Sequence, residues 1–264
     1  MKKILMITAC LLAPSGAFAE PEGIEAAQLL SGWQEPSGDH IAALELALQP
    51  DWKTYWRAPG SGGIPPEFDW TGSENLQSVA LIWPRPVAFE LDGITSFGYH
   101  DSLVLPIKVT AEDPSLPVRL RAHVTLGICK DICIPVTLTL TGELTNAHQP
   151  DPVIVAALSD PAISGLAAGV RHLHCQVTRI SDGLRVTAQI DLPDAAPDDF
   201  IIVEHRNPRI WISDAEMTRH KGQLSAVLDM VPSDAKPFDL NGDDLTVTIL
   251  GKSRAIELQG CPLR

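Results

Sequence analysis

Apolar and polar residues alternate with period two along much of the chain, as at Leu44, Leu46 and Leu48, at Val79, Leu81 and Trp83, and at Leu103, Leu105, Ile107 and Val109. The clearest run sets Leu184, Val186, Ala188 and Ile190 against Arg185, Thr187, Gln189 and Asp191. This period predicts half-buried antiparallel strands, and a further strand is expected over Leu245 to Leu250. Stretches such as Ala58-Pro59-Gly60-Ser61-Gly62-Gly63-Ile64-Pro65-Pro66 cannot continue a ladder and predict turns. A polar break over Thr145 to Pro152, then the apolar Val153 to Leu158 and Ser159-Asp160-Pro161, predicts a linker with a short helix. The pattern is that of an all-β chain with two β-sandwich domains, residues 20–148 and 153–264, each near the usual domain size.

Composition sharpens this picture. Gly (19) and Pro (22) recur too often among the 264 residues for long helices, which excludes helical bundles and solenoids. A formal charge of −13, from 20 Lys and Arg against 33 Asp and Glu, argues against nucleic acid and anionic membranes as partners. At the start, Lys2 and Lys3 precede the apolar Ile4 to Leu12 and the small residues ending in Ala17-Phe18-Ala19. This arrangement predicts a secretory signal peptide over residues 1–19, cleaved after Ala19. A lipoprotein site at Cys10 would leave an apolar core of only about six residues, shorter than leaders use. No later segment approaches the ~18 consecutive apolar residues of a membrane span. The mature chain is therefore expected in an exported compartment where disulfides persist.

Beyond the leader the chain carries Cys129, Cys133, Cys175 and Cys261. From Val118 to Leu126 the even positions are apolar and the odd ones polar, and the same parity returns from Ile132 to Leu140. A three-residue hairpin loop between these runs places Cys129 opposite Cys133 and pairs Leu126 with Val136, Val124 with Leu138, and Thr125 with Thr137. Opposed cross-strand positions lie close enough for a disulfide, and both cysteines fall on the polar, outward face of the hairpin. Closing so short a loop stabilises by only about 2 kcal/mol, against about 4.6 for a loop of some 87 residues. Cys175 shares parity with Leu173 and Val177 and is expected to be buried in a structural disulfide with Cys261. For Cys129 and Cys133 the residues alone leave both an accessory staple and a redox pair open. A zinc site would need two further ligands, and His123 lies several residues along the strand.

Five stretches carry a resemblance. They are Trp52-Lys53-Thr54-Tyr55-Trp56-Arg57-Ala58-Pro59-Gly60, Pro65-Pro66-Glu67-Phe68-Asp69-Trp70, Trp83-Pro84-Arg85-Pro86, residues 98–106 from Gly98 to Pro106, and residues 129–135 from Cys129 to Pro135. Together they resemble the N-terminal periplasmic domain of the DsbD and ScsB thiol:disulfide interchange proteins. The CxxxC spacing is more similar to the ScsB branch. The resemblance implies a first sandwich of immunoglobulin type, a periplasmic location, and a Cys129/Cys133 pair passing electrons to oxidised partner proteins, with Cys133 rather than Cys129 as the attacking or mixed-disulfide residue. It also implies an aromatic cap over the pair, with Phe97 and Tyr99 as its counterpart, and Trp56 and Arg57 beside the cysteines. No transmembrane relay or thioredoxin-like domain of the larger members is recognisable, so a separate membrane electron-relay protein is an expected partner. Other expected partners are periplasmic thioredoxin-fold or other disulfide-bearing proteins.

Other signals are weaker. Gly251-Lys252-Ser253 lacks the first glycine of a phosphate loop, since Thr246 stands there. Asp239 to Asp244 has its glycine misplaced for a calcium loop and predicts an Asn-Gly turn. His172 and His174 share an exposed strand face from which Cys175 points away. No cofactor or metal is expected. The leading function is thiol-disulfide exchange of the protein-disulfide reductase type. Its alternatives are a non-catalytic binding or adaptor module and a copper-handling protein.

Overall fold

The computed structural model describes residues 21–264 apart from Asp92, Thr145 and Lys221, so the expected leader and its cleavage site lie outside the described residues. Ten strands come first: β1 (Ile24–Gln34), β2 (His40–Leu48), β3 (Lys53–Tyr55), β4 (Glu67–Asp69), β5 (Leu76–Leu81), β6 (Val87–Leu91), β7 (Ile94–His100), β8 (Ser102–Ala111), β9 (Arg119–Cys129) and β10 (Cys133–Glu143). A short helix α1 (Pro152–Leu158) precedes β11 (Ile163–Ser164), β12 (His172–Arg179), β13 (Leu184–Asp191), β14 (Phe200–His205), β15 (Ile210–Ile212), β16 (Glu216–His220), β17 (Gln223–Pro232), β18 (Leu245–Leu250) and β19 (Ala255–Gln259). The protein is all-β, in two sandwiches.

In the first sandwich the sheet β1-β2-β8-β5 faces the sheet β10-β9-β3-β7-β6, with β4 also paired to β9. Alternation fills the space between them: Leu44, Leu46 and Leu48 of β2 and Leu103 and Leu105 of β8 meet Ala122, Val124, Leu126 and Ile128 of β9. Helix α1 is N-capped by Asp151, whose carboxylate accepts from Val153 N–H at 2.8 Å. Its buried Ile154 packs on Ile41 and Ala43, on the outer face of β2, so the helix lies against the first sandwich.

The second sandwich sets β12-β13-β17-β15, joined by β16, against β11-β19-β18-β14. Its core is built from Val186, Ala188 and Ile190 of β13, Leu224, Ala226 and Leu228 of β17, and Val203, Val247 and Ile256 of the opposing sheet. The Asn241-Gly242 step, expected as a simple turn between strands, instead opens a 3₁₀ turn over Gly242–Asp244. Asn241 caps that turn by accepting from Asp243 N–H.

One sheet breaks the polar-outside rule. In β14 the residues Ile201, Ile202 and Val203 are all buried in sequence, so both faces of the strand are covered. Ile201 and Val203 enter the second core, whereas Ile202, Leu250 and Ala255 join the first, beside Trp56 and Phe97. The two sandwiches therefore share a continuous apolar interface.

Candidate functional site

Strands β9 and β10 pair in register from Arg119↔Glu143 to Cys129↔Cys133, including Leu126↔Val136, Val124↔Leu138 and Thr125↔Thr137. The hairpin thus has the register that its polarity pattern predicts. Cys129 and Cys133 are joined by a disulfide at its end, with Cα atoms 4.2 Å apart. In the connecting loop Lys130 Nζ reaches Asp51 at 3.3 Å, and Ile132 is 70% exposed.

The expected outward placement of both cysteines needs correction. They do lie on the outer face of their sheet, but that face is covered at this end, so Cys129 is fully buried and Cys133 half-buried. The cover comes from β3, which pairs with β9 (Lys53↔Cys129, Thr54↔Ile128) and with β7 (Lys53↔His100, Tyr55↔Gly98). Antiparallel partners share a sheet face, so Lys53, Tyr55 and His100 stand beside the cysteines. The Tyr55 ring lies over Gly127, where a Cβ would meet Ile64 Cβ at 2.7 Å and Tyr55 Cδ2 at 2.9 Å. Only a residue without a side chain permits that approach.

Tyr55 is 1% exposed, and its hydroxyl oxygen is 2.9 Å from Cys133 Sγ. Burial pushes its pKa up, so the phenol keeps its proton and can donate to sulfur. Phe89 of β6 packs on Tyr55 at 6.0 Å between ring centroids and on His100 at 5.4 Å, and Lys53 Nζ lies 5.1 Å above the Phe89 ring. The aromatic residues on the cysteine face are therefore Tyr55 and Phe89.

The three aromatics expected as cap or neighbours lie elsewhere. Thr54 faces inward with Ile128, and its register partner Tyr99 does likewise. Phe97 and Trp56 are buried in the same inner cluster. Tyr99 stacks on Trp83 at 6.5 Å and donates to Pro84 O at 2.7 Å. Phe97 meets Phe200 of the second sandwich edge-on at 5.5 Å. Arg57 lies over the Trp56 ring at 4.4 Å and points away from the cysteines, toward Glu204 and Glu257. Sheet parity is the physical reason, since residues two apart from Thr54 or Ile128 in register cannot reach the outer face. His123 accepts from Arg121 Nε and shares a hydrogen bond with Thr139, farther down the hairpin.

Sequence reasoning missed Tyr55, Phe89 and Gly127 because β3 is only three residues long and its partners are distant in sequence. The run Phe200-Ile201-Ile202-Val203 was a local signal of the interface, since unbroken apolar strands are buried on both faces. Cys175 and Cys261 form the second disulfide, with Cα atoms 5.7 Å apart and both residues buried. Cys175 N–H also donates to Pro262 O, which ties the chain end to β12.

Two stacked sandwiches, one with a cystine closing a hairpin under a buried tyrosine, define the structural class. Residues 26–144 match the family described as thiol:disulfide interchange protein DsbD, N-terminal, and this segment is a domain of that family. Among solved structures the chain is similar to the N-terminal periplasmic domain of ScsB from Proteus mirabilis. The identity is 24% and the TM-score 0.66, over 88% of this chain and 91% of that one, which extends the likeness of fold to both sandwiches. No curated protein matches the sequence. Among the described residues no helix is long and apolar enough to cross a membrane.

Proposed function

We propose that the protein is a periplasmic thiol-disulfide exchange protein whose Cys129–Cys133 pair passes two electrons to disulfide-bearing partner proteins. The observation that carries this reading is the half-buried Cys133, its sulfur beside the Tyr55 hydroxyl, at the end of a hairpin and next to a fully buried Cys129. In the reduced pair, the Cys133 thiolate attacks one sulfur of the partner disulfide and forms a mixed disulfide, and the partner's other sulfur leaves as a thiolate. Cys129, deprotonated, then attacks Cys133 Sγ and displaces the second partner thiolate. The pair ends oxidised and the partner reduced by two electrons, with the two thiol protons taken up by the partner's sulfurs.

Tyr55 serves as the positioning residue, because a protonated phenol stabilises negative charge on the sulfur it faces. The exposed Ile132 and the loop around it supply the contact surface for the partner. A membrane relay protein is the electron source. The Cys175–Cys261 disulfide holds the second sandwich and takes no part in exchange. Residues 20–148 and 153–264 are the two domains after removal of the leader.

The test is the reduction potential of Cys129–Cys133, measured by glutathione or dithiothreitol titration with thiol-specific mass labelling. An exchange pair falls between about −120 and −270 mV. A value below about −300 mV, or labelling only after unfolding, marks a structural bridge and moves the function to a binding or adaptor role.

A further inference from the structure

The loop over residues 57–66, between β3 and β4, runs from the interface of the two sandwiches to the cysteine face. At its start Arg57 donates to both carboxylate oxygens of Glu204, at 2.9 and 3.0 Å, and to Glu257 at 2.6 Å. These side chains are only 26%, 22% and 29% exposed, so water screens the pairs less than it would at the surface. In the middle of the loop Ser61 N–H donates to Asp214 at 3.0 Å, and the Ser61 hydroxyl donates to the same carboxylate. At its far end a Cβ on Gly63 would sit 2.9 Å from the Tyr55 ring, and Ile64 lies over Gly127.

Beyond Ala58, which packs on the first core, and the buried Pro59, the loop has little hold of its own. Gly60, Gly62 and Gly63 give it a large conformational entropy to lose on ordering. Among the described residues its backbone is tied by Phe97 N–H to Pro59 O and by the turn from Gly63 N–H to Gly60 O. Glu204, Glu257 and Asp214 all belong to the second sandwich. The residues they fix are continuous in sequence with Tyr55 on one side and Ile64 on the other.

We infer that the second sandwich is a clamp: it holds the loop over residues 57–66 closed against Tyr55 and Gly127, and so sets access to the Cys129–Cys133 pair. This assigns a role to the half of the chain that lies outside the matched family segment, and it rests on the reading of the pair as an exchange site. The anchors are polar contacts, so releasing them loosens the loop without removing a side chain from either core.

The experiment uses the whole mature chain with both disulfides formed, comparing wild type with Glu204→Gln/Glu257→Gln and, separately, with Asp214→Asn. Two quantities are followed: the rate at which dithiothreitol reduces Cys129–Cys133, and hydrogen exchange over residues 57–66. Both are expected to rise about fivefold, while Cys175–Cys261 stays oxidised and the chain still unfolds in one cooperative transition, at a temperature lowered by the loss of these polar contacts. Glu204→Asp should recover part of the protection. Unchanged reduction and unchanged hydrogen exchange in both variants overturn the clamp. If the pair resists reduction in every variant until the chain unfolds, the exchange reading falls, and hydrogen exchange alone still decides whether the second sandwich holds the loop.

Discussion

The hydroxyl of Tyr55 lies 2.9 Å from Sγ of Cys133, whereas the bonded partner sulfur belongs to a fully buried residue, Cys129. The two cysteines occupy equivalent register positions on one hairpin, yet their surroundings differ. That asymmetry leaves Cys133 half-buried with its sulfur facing a hydroxyl, and Cys129 enclosed.

Removing the donor is expected to weaken the thiolate. A hydrogen bond to a charged group contributes roughly 1.5–3 kcal/mol, so Tyr55→Phe should raise the Cys133 pKa by about one unit or more. The pH dependence of iodoacetamide alkylation, measured with and without Tyr55→Phe in a Cys129→Ser background, reads this directly. Superimposable profiles would remove Tyr55 from the mechanism.

Accessibility assigns the attacking sulfur. In single-cysteine variants of the hairpin, Cys133 in Cys129→Ser should alkylate at least roughly tenfold faster than Cys129 in Cys133→Ser. The opposite order would transfer the attacking role to Cys129.

Gly127 is the point where the ring meets the strand. Gly127→Ala introduces a Cβ into the space held by Tyr55 and Ile64 and should destabilise the first sandwich by about 1–3 kcal/mol. Urea unfolding measures this, and a change under about 0.3 kcal/mol would mean that the ring is free to move aside.

The second disulfide closes a loop with a sequence separation of 86. Replacing both Cys175 and Cys261 with Ala should lower stability by about 2–5 kcal/mol in thermal or urea unfolding. A loss well under about 1 kcal/mol would show that the core of that sandwich suffices alone.

His40 gives a pH dependence. It is 2% exposed, and burial lowers its pKa from the ordinary 6.5, partly opposed by Asn146 and Asp39. The unfolded chain then binds a proton near pH 6.5 that the folded chain refuses, so stability is complete above that pH and falls as pH drops through it. Melting temperatures at pH 7.5 and 5.5 should show the loss. A His40→Gln variant that folds should flatten this segment of the curve, and an equal loss in that variant would point to another group.

Much of the fold was legible because its signals are local. Alternation along β2, β8, β9, β10 and β13 specifies which residues face inward, and a one-residue slip would expose them all. The three-residue spacing between Cys129 and Cys133 specifies a hairpin whose register is then set by polarity on both sides. The frequent Gly and Pro argued against helical bundles and solenoids before any element was placed, and the described residues are mostly strand.

The composition of the site was not legible in the same way. Trp56, Phe97 and Tyr99 occupy motif positions near the cysteines in sequence, but their parity sends them through the sheet, into the core and toward Phe200. Tyr55 reaches Cys133 across 78 positions of sequence, because the short β3 inserts between β7 and β9. The sequence by itself determined an all-β chain, the hairpin register and the pairing partners within it, since those depend on alternation and short loops. Only the tertiary structure decided which sheet face is covered, that Arg57 turns to Glu204 and Glu257, and that Cys129 is enclosed while Cys133 is not. Those outcomes depend on non-local strand order and on the packing of one sandwich against the other, which no local pattern encodes.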